Sequence, residues 1–364
     1  MIKVLQVVTI LDRGGEETMI MNYYRNIDSS IIQFDFLVHR DEKGVYEDEI
    51  INRGGNIYRA FPIRPWNYAK YRKWLKRFFE EHKNEYMAVH AHILENCGFV
   101  LEAAKEAGVP VRIAHSHLAQ VNFDYKYLFR LYGKMVLKKS GATHLLACGK
   151  EAGKYLFDDM PFSVMPNAVD TSIFAYRQDV RTEMRTELGL NGKLVIGNIA
   201  RFHPVKNQTF LVDIFKEYLN INANAVLVLA GVGEEQENVR LKVHALQLDK
   251  KVKFLNLRDD INRVLQAIDI IVFPSKLEGL PLSLVEAQAA GVPCLLSDRV
   301  ARETAITDLV DFIPLEASPA KWSEKISEIL DGFVREDSSE KIKAAGYDIK
   351  TNVEDLKAIY LYKK

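Results

Sequence analysis

The stretch Asp269–Pro293, DIIVFPSKLEGLPLSLVEAQAAGVP, runs from a strand through a loop into a helix. Ile268–Phe273 is a short, nearly continuous apolar run, as expected of a strand covered on both faces. Pro281 suits the first turn of a helix. Glu278 then lies on the loop before that helix, and Glu286 about a turn and a half inside it. Gly279 and the amides of Leu280 and Leu282 belong to the helix N-terminus, which favours anionic groups. Two carboxylates flanking such a site can accept hydrogen bonds from sugar or ribose hydroxyls. The plain alternative is one capping and one solvated glutamate.

Outward from this unit, apolar runs alternate with longer amphipathic stretches along nearly the whole chain. Strands are expected at Val4–Ile10, Phe34–His39, Asn56–Phe61, Met87–His92, Val111–His115, His144–Cys148 and Phe162–Met165. A second series falls at Leu194–Ile199, Ala225–Ala230, Val252–Leu257, Ile268–Phe273, Pro293–Leu296 and Asp311–Ile313. Alternating β and α elements make parallel sheets covered by helices on both faces, an α/β class. So many strands exceed an ordinary single sheet. The pattern breaks at Pro166–Arg181, where turn chemistry replaces periodicity. Two doubly wound domains are therefore expected, over 1–174 and 175–345, facing a central cleft. A terminal segment, 346–364, carries a helix near Asn352–Tyr362 that returns toward the first domain. Ligands are expected at the carboxyl ends of the strands.

Composition narrows the class. The 364 residues are 48% hydrophobic and 27% charged, which fits a globular protein and argues against disorder. Lys and Arg total 49 against 49 Asp and Glu, so no global charge points to nucleic acid. The cysteines at 97, 148 and 294 show no CxxC spacing, so neither a disulfide framework nor a zinc ribbon is expected, in keeping with a cytoplasmic protein. MIKVLQVVTI is read as a buried first strand rather than a leader, because Gln6 and Thr9 interrupt it. No uncharged apolar run reaches the roughly 18 residues a membrane-spanning helix needs. Any membrane contact is then peripheral.

Other stretches carry candidate chemistry. In IGNIARFHPVKN a strand runs into a loop holding Arg201 and Lys206, and Asn207 is placed to cap the following helix. Two cations at a strand end suit a diphosphate, Arg as a planar fork and Lys as a compact charge. Two solvated surface cations are the alternative. LAGVGEE places Gly231 and Gly233 after a strand, either for close approach to a nucleotide or as a plain tight turn. DRGGEE places Gly14 and Gly15 at a strand-to-helix turn, with Glu16 and Glu17 in the first helical turn. It is not a GxGxxG fingerprint. RIAHSH puts His115 and His117 on one side of a strand end, where a metal pair is conceivable but no third ligand is evident. A structural histidine is the usual alternative.

In this order the pieces resemble retaining GT-B glycosyltransferases of family 4. The carrying motifs are Gly14-Gly15-x-Glu17, the Pro166-Asn167-x-Val169-Asp170 hinge, Arg201 with Lys206, and Glu278 with Glu286. RIAHSH and PCLLSD look most like the bacterial exopolysaccharide and capsule branch. Ala168 and Pro281 stand where glycine is usual. The resemblance implies two Rossmann-like domains, the first on the acceptor side and the second binding a nucleotide sugar, here a UDP-sugar. It implies that Arg201 and Lys206 neutralise the diphosphate, that Glu286 binds ribose and that Glu278 contacts the sugar. Gly197, Asn198, Gly231, Gly233, Leu257, Gly279, Leu280 and Leu282 would complete the donor side, with uracil read near Leu255–Leu257. Gly14 and Gly15 would approach the donor from the first domain. His117, with His115 second, would meet sugar hydroxyls, and Glu17 and Asn167 are further contact candidates. The transfer would use no metal or cofactor, move a hexose to a growing lipid-linked glycan, and require the domains to close around a hinge at Pro166–Arg181. A sugar-nucleotide epimerase and a non-catalytic nucleotide-sugar-binding partner are the rivals.

Two basic stretches complete the reading. Arg59–Phe79 mixes cations with Trp66, Tyr68, Tyr71, Trp74, Phe78 and Phe79. Lys126, Arg130, Lys134 and Lys138 recur every four residues and share one helix face. That face is either solvated or in contact with an anionic bilayer at the inner side of the plasma membrane.

Overall fold

The computed structural model describes residues 1–12, 14–118 and 127–361. Its strands form two parallel sheets. The first sheet comprises β1 (Ile2–Val7), β2 (Ile32–Val38), β3 (Ile57–Arg59), β4 (Tyr86–Ala91), β5 (Val111–Ser116), β6 (His144–Ala147) and β7 (Ser163–Val164). Their order is β3-β2-β1-β4-β5-β6-β7. The second comprises β8 (Leu194–Ile199), β9 (Ala225–Ala230), β10 (Val252–Asn256), β11 (Ile270–Phe273), β12 (Cys294–Ser297) and β13 (Val310–Ile313), ordered β10-β9-β8-β11-β12-β13. Each sheet reverses strand order beside its first strand. A crevice at the strand carboxyl ends opens at such a point.

The chain divides into two compact units, Met1–Ala168 with Ile349–Lys364, and Val169–Asp348. In the second unit every residue of β9 is buried, and β8 pairs with it in register from Leu194–Ala225 to Ile199–Ala230. Phe215, Leu227, Val272 and Trp322 lie in its core. This unit closes on itself where the chain enters and leaves. Val169 forms a parallel bridge with Asp348, and the Thr171 hydroxyl donates to the Asp348 carboxylate at 2.6 Å.

In the first unit β1 is central and largely buried, as expected of a first strand. The helix Ile349–Tyr360 belongs to this unit and packs on the helix Gly15–Asn26. Its Tyr360 ring sits edge-on to Phe34 with centroids 5.8 Å apart. Much of the basic, aromatic stretch proves to be core. Tyr71, Phe78 and Phe79 are buried, and the Tyr71 hydroxyl is 2.7 Å from His39 Nε2. Trp66, by contrast, is exposed. Among the described residues no helix is long and apolar enough to cross a membrane.

Candidate active site

Two loops at the carboxyl end of the second sheet are joined backbone to backbone. The Ala200 amide donates to Ala230 O, and the Phe202 amide to Val232 O. Gly231 adopts a φ of 137°, and a Cβ there would come within 2.1 Å of Ala200 O. A Cβ at Gly233 would lie equally close to Phe202 O. The two glycines therefore permit loop-to-loop contact, which is a structural demand in its own right. Phe202 anchors the loop in the core and leaves Arg201 exposed, with no side-chain partner among the described residues.

The same loop is fastened to the exit of strand β11. The Lys276 amide donates to Val205 O at 2.8 Å, and Asn207 Nδ2 to Pro274 O at 3.1 Å. Asn207 takes a left-handed conformation, φ 58°, and its side chain does not cap the following helix as expected. The carboxamide is committed to the neighbouring loop instead. This brings Lys206 Nζ to 2.5 Å from Glu278 Oε1, both largely shielded from solvent. Glu278 is itself pinned by a bridge to Val300, with the Ala301 amide donating to its carbonyl at 3.0 Å.

Past Glu278 the chain enters the helix Leu282–Ala289, with Pro281 as its extended N-cap. No acceptor among the described residues takes the amides of Gly279, Leu280 and Leu282. A Cβ at Gly279 would meet nothing within 4 Å, so this backbone borders open space. Glu286 is half-buried on the first turns, and burial pushes its carboxyl up to about 7. Leu257 lies exposed just past β10. An exposed guanidinium, a shielded Lys–Glu pair, open helix-end amides and a desolvated carboxyl thus share one end of one sheet. Such a set binds an anion together with neutral hydroxyls.

Two expected donor residues are otherwise occupied. Gly197 and Asn198 are buried within β8. A Cβ at Gly197 would strike Ile268 Cδ1 at 2.5 Å, and Asn198 Nδ2 donates to Val272 O. Their physical role is sheet packing.

In the first unit, Gly14 is the extended N-cap of the helix Gly15–Asn26. The Glu17 carboxylate folds back so closely that a Cβ at Gly14 would lie 2.1 Å from it. Glu17 takes hydrogen bonds from the helix-end amides, as in a capping box, while burial and Asp12 raise its pKa. Its carboxylate therefore serves its own helix end. Gly15 faces open space. Asn167 is buried, and its Oδ1 has no partner among the described residues.

His115 and His117 do lie together, with ring centroids 4.2 Å apart. Two further histidines, unforeseen from sequence, join them. His90 Nε2 is 3.1 Å from His115 Nδ1, and His92 Nδ1 is 2.8 Å from His117 Nε2. β4 and β5 are adjacent, and MAVHAH carries the same two-residue spacing at a strand end as RIAHSH. That repeated pattern was the available signal. Burial drives all four imidazoles toward the neutral form, His117 down to about 3.

Comparison with known proteins gives the family and the fold. Residues 13–173 match the family described as Glycosyltransferase Family 4, and residues 180–348 match Glycosyl transferases group 1. The chain is 34% identical to EpsF of Bacillus subtilis (strain 168), named as a putative glycosyltransferase, over 98% of this chain and 96% of that one. It is 24% identical to the capsular polysaccharide biosynthesis glycosyltransferase CapH of Staphylococcus aureus, over 100% and 99% of the two chains. It is 30% identical, over 59% of each chain, to the Escherichia coli UDP-Gal:alpha-D-GlcNAc-diphosphoundecaprenol alpha-1,3-galactosyltransferase. The Anabaena HepE structure in complex with UDP superposes with a TM-score of 0.75 at 15% identity, covering both chains fully. The chain belongs to the GT-B glycosyltransferases, with a family 4 amino-terminal half and a group 1 carboxyl-terminal half, in the branch that includes exopolysaccharide and capsule enzymes.

Proposed function

We propose that this glycosyltransferase takes a hexose from a UDP-sugar, with retention, and adds it to a growing lipid-linked glycan of a bacterial surface polysaccharide. The observation that carries the reading is the set at the carboxyl end of the second sheet: Arg201, the Lys206–Glu278 pair, the free amides of Gly279 to Leu282, and Glu286. In this reading the unit Val169–Asp348 holds the donor. Arg201, Lys206 and the helix-end amides receive the diphosphate, Glu286 the ribose, Glu278 the sugar, and the backbone near Leu257 the base. Gly14, Gly15, His117 and Asn167 of the other unit serve the sugar and the acceptor, whereas His115, the second candidate, is fully buried against His117 and only supports it. UDP in the HepE structure and the substrates named for the Escherichia coli relative support this donor and acceptor.

The chemistry follows from charge. Departure of UDP builds negative charge on the β-phosphate and positive character at the anomeric carbon. Preorganised cations and amides stabilise that leaving group without a metal. Of the carboxylates here, Glu278 pairs with Lys206 and Glu286 is given to the ribose, so neither takes the part of a glycosidase nucleophile. The acceptor hydroxyl accordingly attacks on the face the phosphate leaves, and the phosphate oxygen takes its proton.

A lipid-linked acceptor calls for a membrane-facing surface. The helix Tyr127–Lys139 supplies one: Leu128 is 73% and Met135 57% exposed, among Phe129, Leu131 and several cations. Its charges are weaker than the sequence suggested. Lys134 and Lys138 both pair with Asp158, at 3.0 and 3.1 Å, while Lys126 lies outside the described residues. The exposed apolar side chains carry the attachment, at the inner face of the plasma membrane.

The test is to follow UDP release from UDP-sugars with and without diphosphoundecaprenol-linked acceptor, in chelator, and to assign the product anomer by NMR. Acceptor-dependent release with an α-linked product supports the proposal. Conversion of the UDP-sugar without an acceptor indicates an epimerase, and no turnover with tight UDP binding a non-catalytic partner.

A further inference from the structure

Four histidines at the ends of two adjacent strands are costly to bury. His90, His92 and His115 are at most 2% exposed, and His117 is half-buried. They lie at the ends of β4 and β5, beside Gln6 of β1. Neutral imidazole has one donor and one acceptor, and an unsatisfied buried polar atom costs about 1–3 kcal/mol. Yet His115 Nε2 and His117 Nδ1 are buried atoms with no partner among the described residues.

The ring nitrogens sort into an inner and an outer set. Tyr360 Oη lies 2.7 Å from His90 Nδ1, and Gln6 Oε1 3.0 Å from His92 Nε2. Gln6 Nε2 also donates to Tyr360 Oη at 3.0 Å. These contacts orient both rings from outside. Metal-binding histidines are held in this way, the far nitrogen hydrogen-bonded and the near one free to ligate. The near nitrogens of His90 and His92 face those of His115 and His117 at 3.1 and 2.8 Å. One ring nitrogen from each of His90, His92 and His115 lies within 4.8 Å of the others.

We infer that this cluster is a binding site for a divalent transition-metal ion of the imidazole-preferring kind, such as zinc, cobalt or nickel. Tetrahedral coordination at roughly 2.0–2.1 Å places ligand nitrogens about 3.3 Å apart. The two facing pairs need open by about 0.2–0.5 Å to meet that spacing, and the nitrogens of His90, His92 and His115, within 4.8 Å of one another, close by at most about 1.5 Å. On binding, the proton shared in each facing pair leaves the near nitrogens. That of the first pair is carried on the outer nitrogens of His90 and His115, where Tyr360 Oη accepts from His90. His92 Nε2 already donates to Gln6 Oε1, so the proton between His92 and His117 goes to His117 Nδ1. Half-buried His117 supplies the entry route. Such an ion ties β4 to β5 and, through Gln6 and Tyr360, to β1 and the terminal helix. Its place is structural, separate in kind from the leaving-group chemistry proposed above.

The test uses the full-length protein, stripped of metal and titrated with Co²⁺. One equivalent should produce the intense visible d–d bands of low-coordinate cobalt, Zn²⁺ should abolish them, and either ion should raise the Tm by several degrees. His92→Gln and His115→Gln should each weaken binding at least tenfold, whereas His244→Gln, at an exposed position, should leave it unchanged. Absence of both the bands and the Tm shift overturns the site. So does wild-type affinity in the double His92→Gln, His115→Gln variant. If those variants do not fold, the Co²⁺-loaded native protein decides: contact-shifted imidazole protons from three or more histidines support the site, and fewer overturn it.

Discussion

Lys206 and Glu278 face each other at 2.5 Å, although each was expected to meet a different part of the donor. The pairing follows from the loop contacts of Val205 and Asn207 with Lys276 and Pro274, which bring the two side chains together. The pair keeps both charges in place without leaving either buried alone. A diphosphate would then compete with Glu278 for the lysine and release the carboxylate toward sugar hydroxyls.

This coupling predicts non-additive mutants. Lys206→Ala should cut kcat/KM about 10²–10³-fold, since a lost preorganised donor costs about 3–4 kcal/mol. It also leaves Glu278 unpaired. Adding Glu278→Gln to Lys206→Ala should therefore cost less than Glu278→Gln does in the native background. Additive effects in a kinetic double-mutant cycle would show that the two side chains act independently.

Glu286 gives a pH prediction. Burial raises its carboxyl to about 7 from an ordinary value of 4.5. Between those values the folded state holds a proton that the unfolded state has lost. Its contribution is therefore fully present below about 4.5 and is lost as pH rises through about 7. Urea unfolding between about pH 4.5 and 8 should show a decline on the order of 1–3 kcal/mol. Glu286→Gln should flatten it, and an equally steep decline in that variant would refute the assignment.

At Gly231, φ 137° and the 2.1 Å approach to Ala200 O leave no room for a side chain. Gly231→Ala should destabilise the protein by about 2–4 kcal/mol and weaken UDP binding, because the Arg201 loop must shift. Gly279→Ala, with open space around it, should leave stability within about 0.5 kcal/mol. Chemical denaturation and isothermal titration with UDP distinguish the two sites.

For membrane attachment, Leu128→Glu with Met135→Glu should release the protein from anionic vesicles in sedimentation assays. Lys134→Gln with Lys138→Gln should have a smaller effect, because Asp158 already pairs with both. The opposite ranking would place the binding energy in charge rather than in apolar insertion.

The sequence alone determined the strands, their parallel sense and the division into two sheets, because these depend on local apolar periodicity. β8 and β9 match their expected ends to the residue. It also located Arg201, Lys206, Glu278 and Glu286 on the right loops and helix, because strand-to-helix turns carry their own Gly and Pro signals. What it could not show is which side chains meet across neighbouring strands and loops. Lys206 and Glu278 are far apart in the chain, and they pair only because β8 lies beside β11. Gly197 and Asn198 lie on the expected strand, but the sheet is covered on both faces, so Gly197 abuts Ile268 on one side and Asn198 is tied to the Val272 carbonyl. The histidine cluster is likewise tertiary. RIAHSH alone shows two imidazoles, and only the pairing of β4 with β5 and the return of Tyr360 assemble four of them with Gln6.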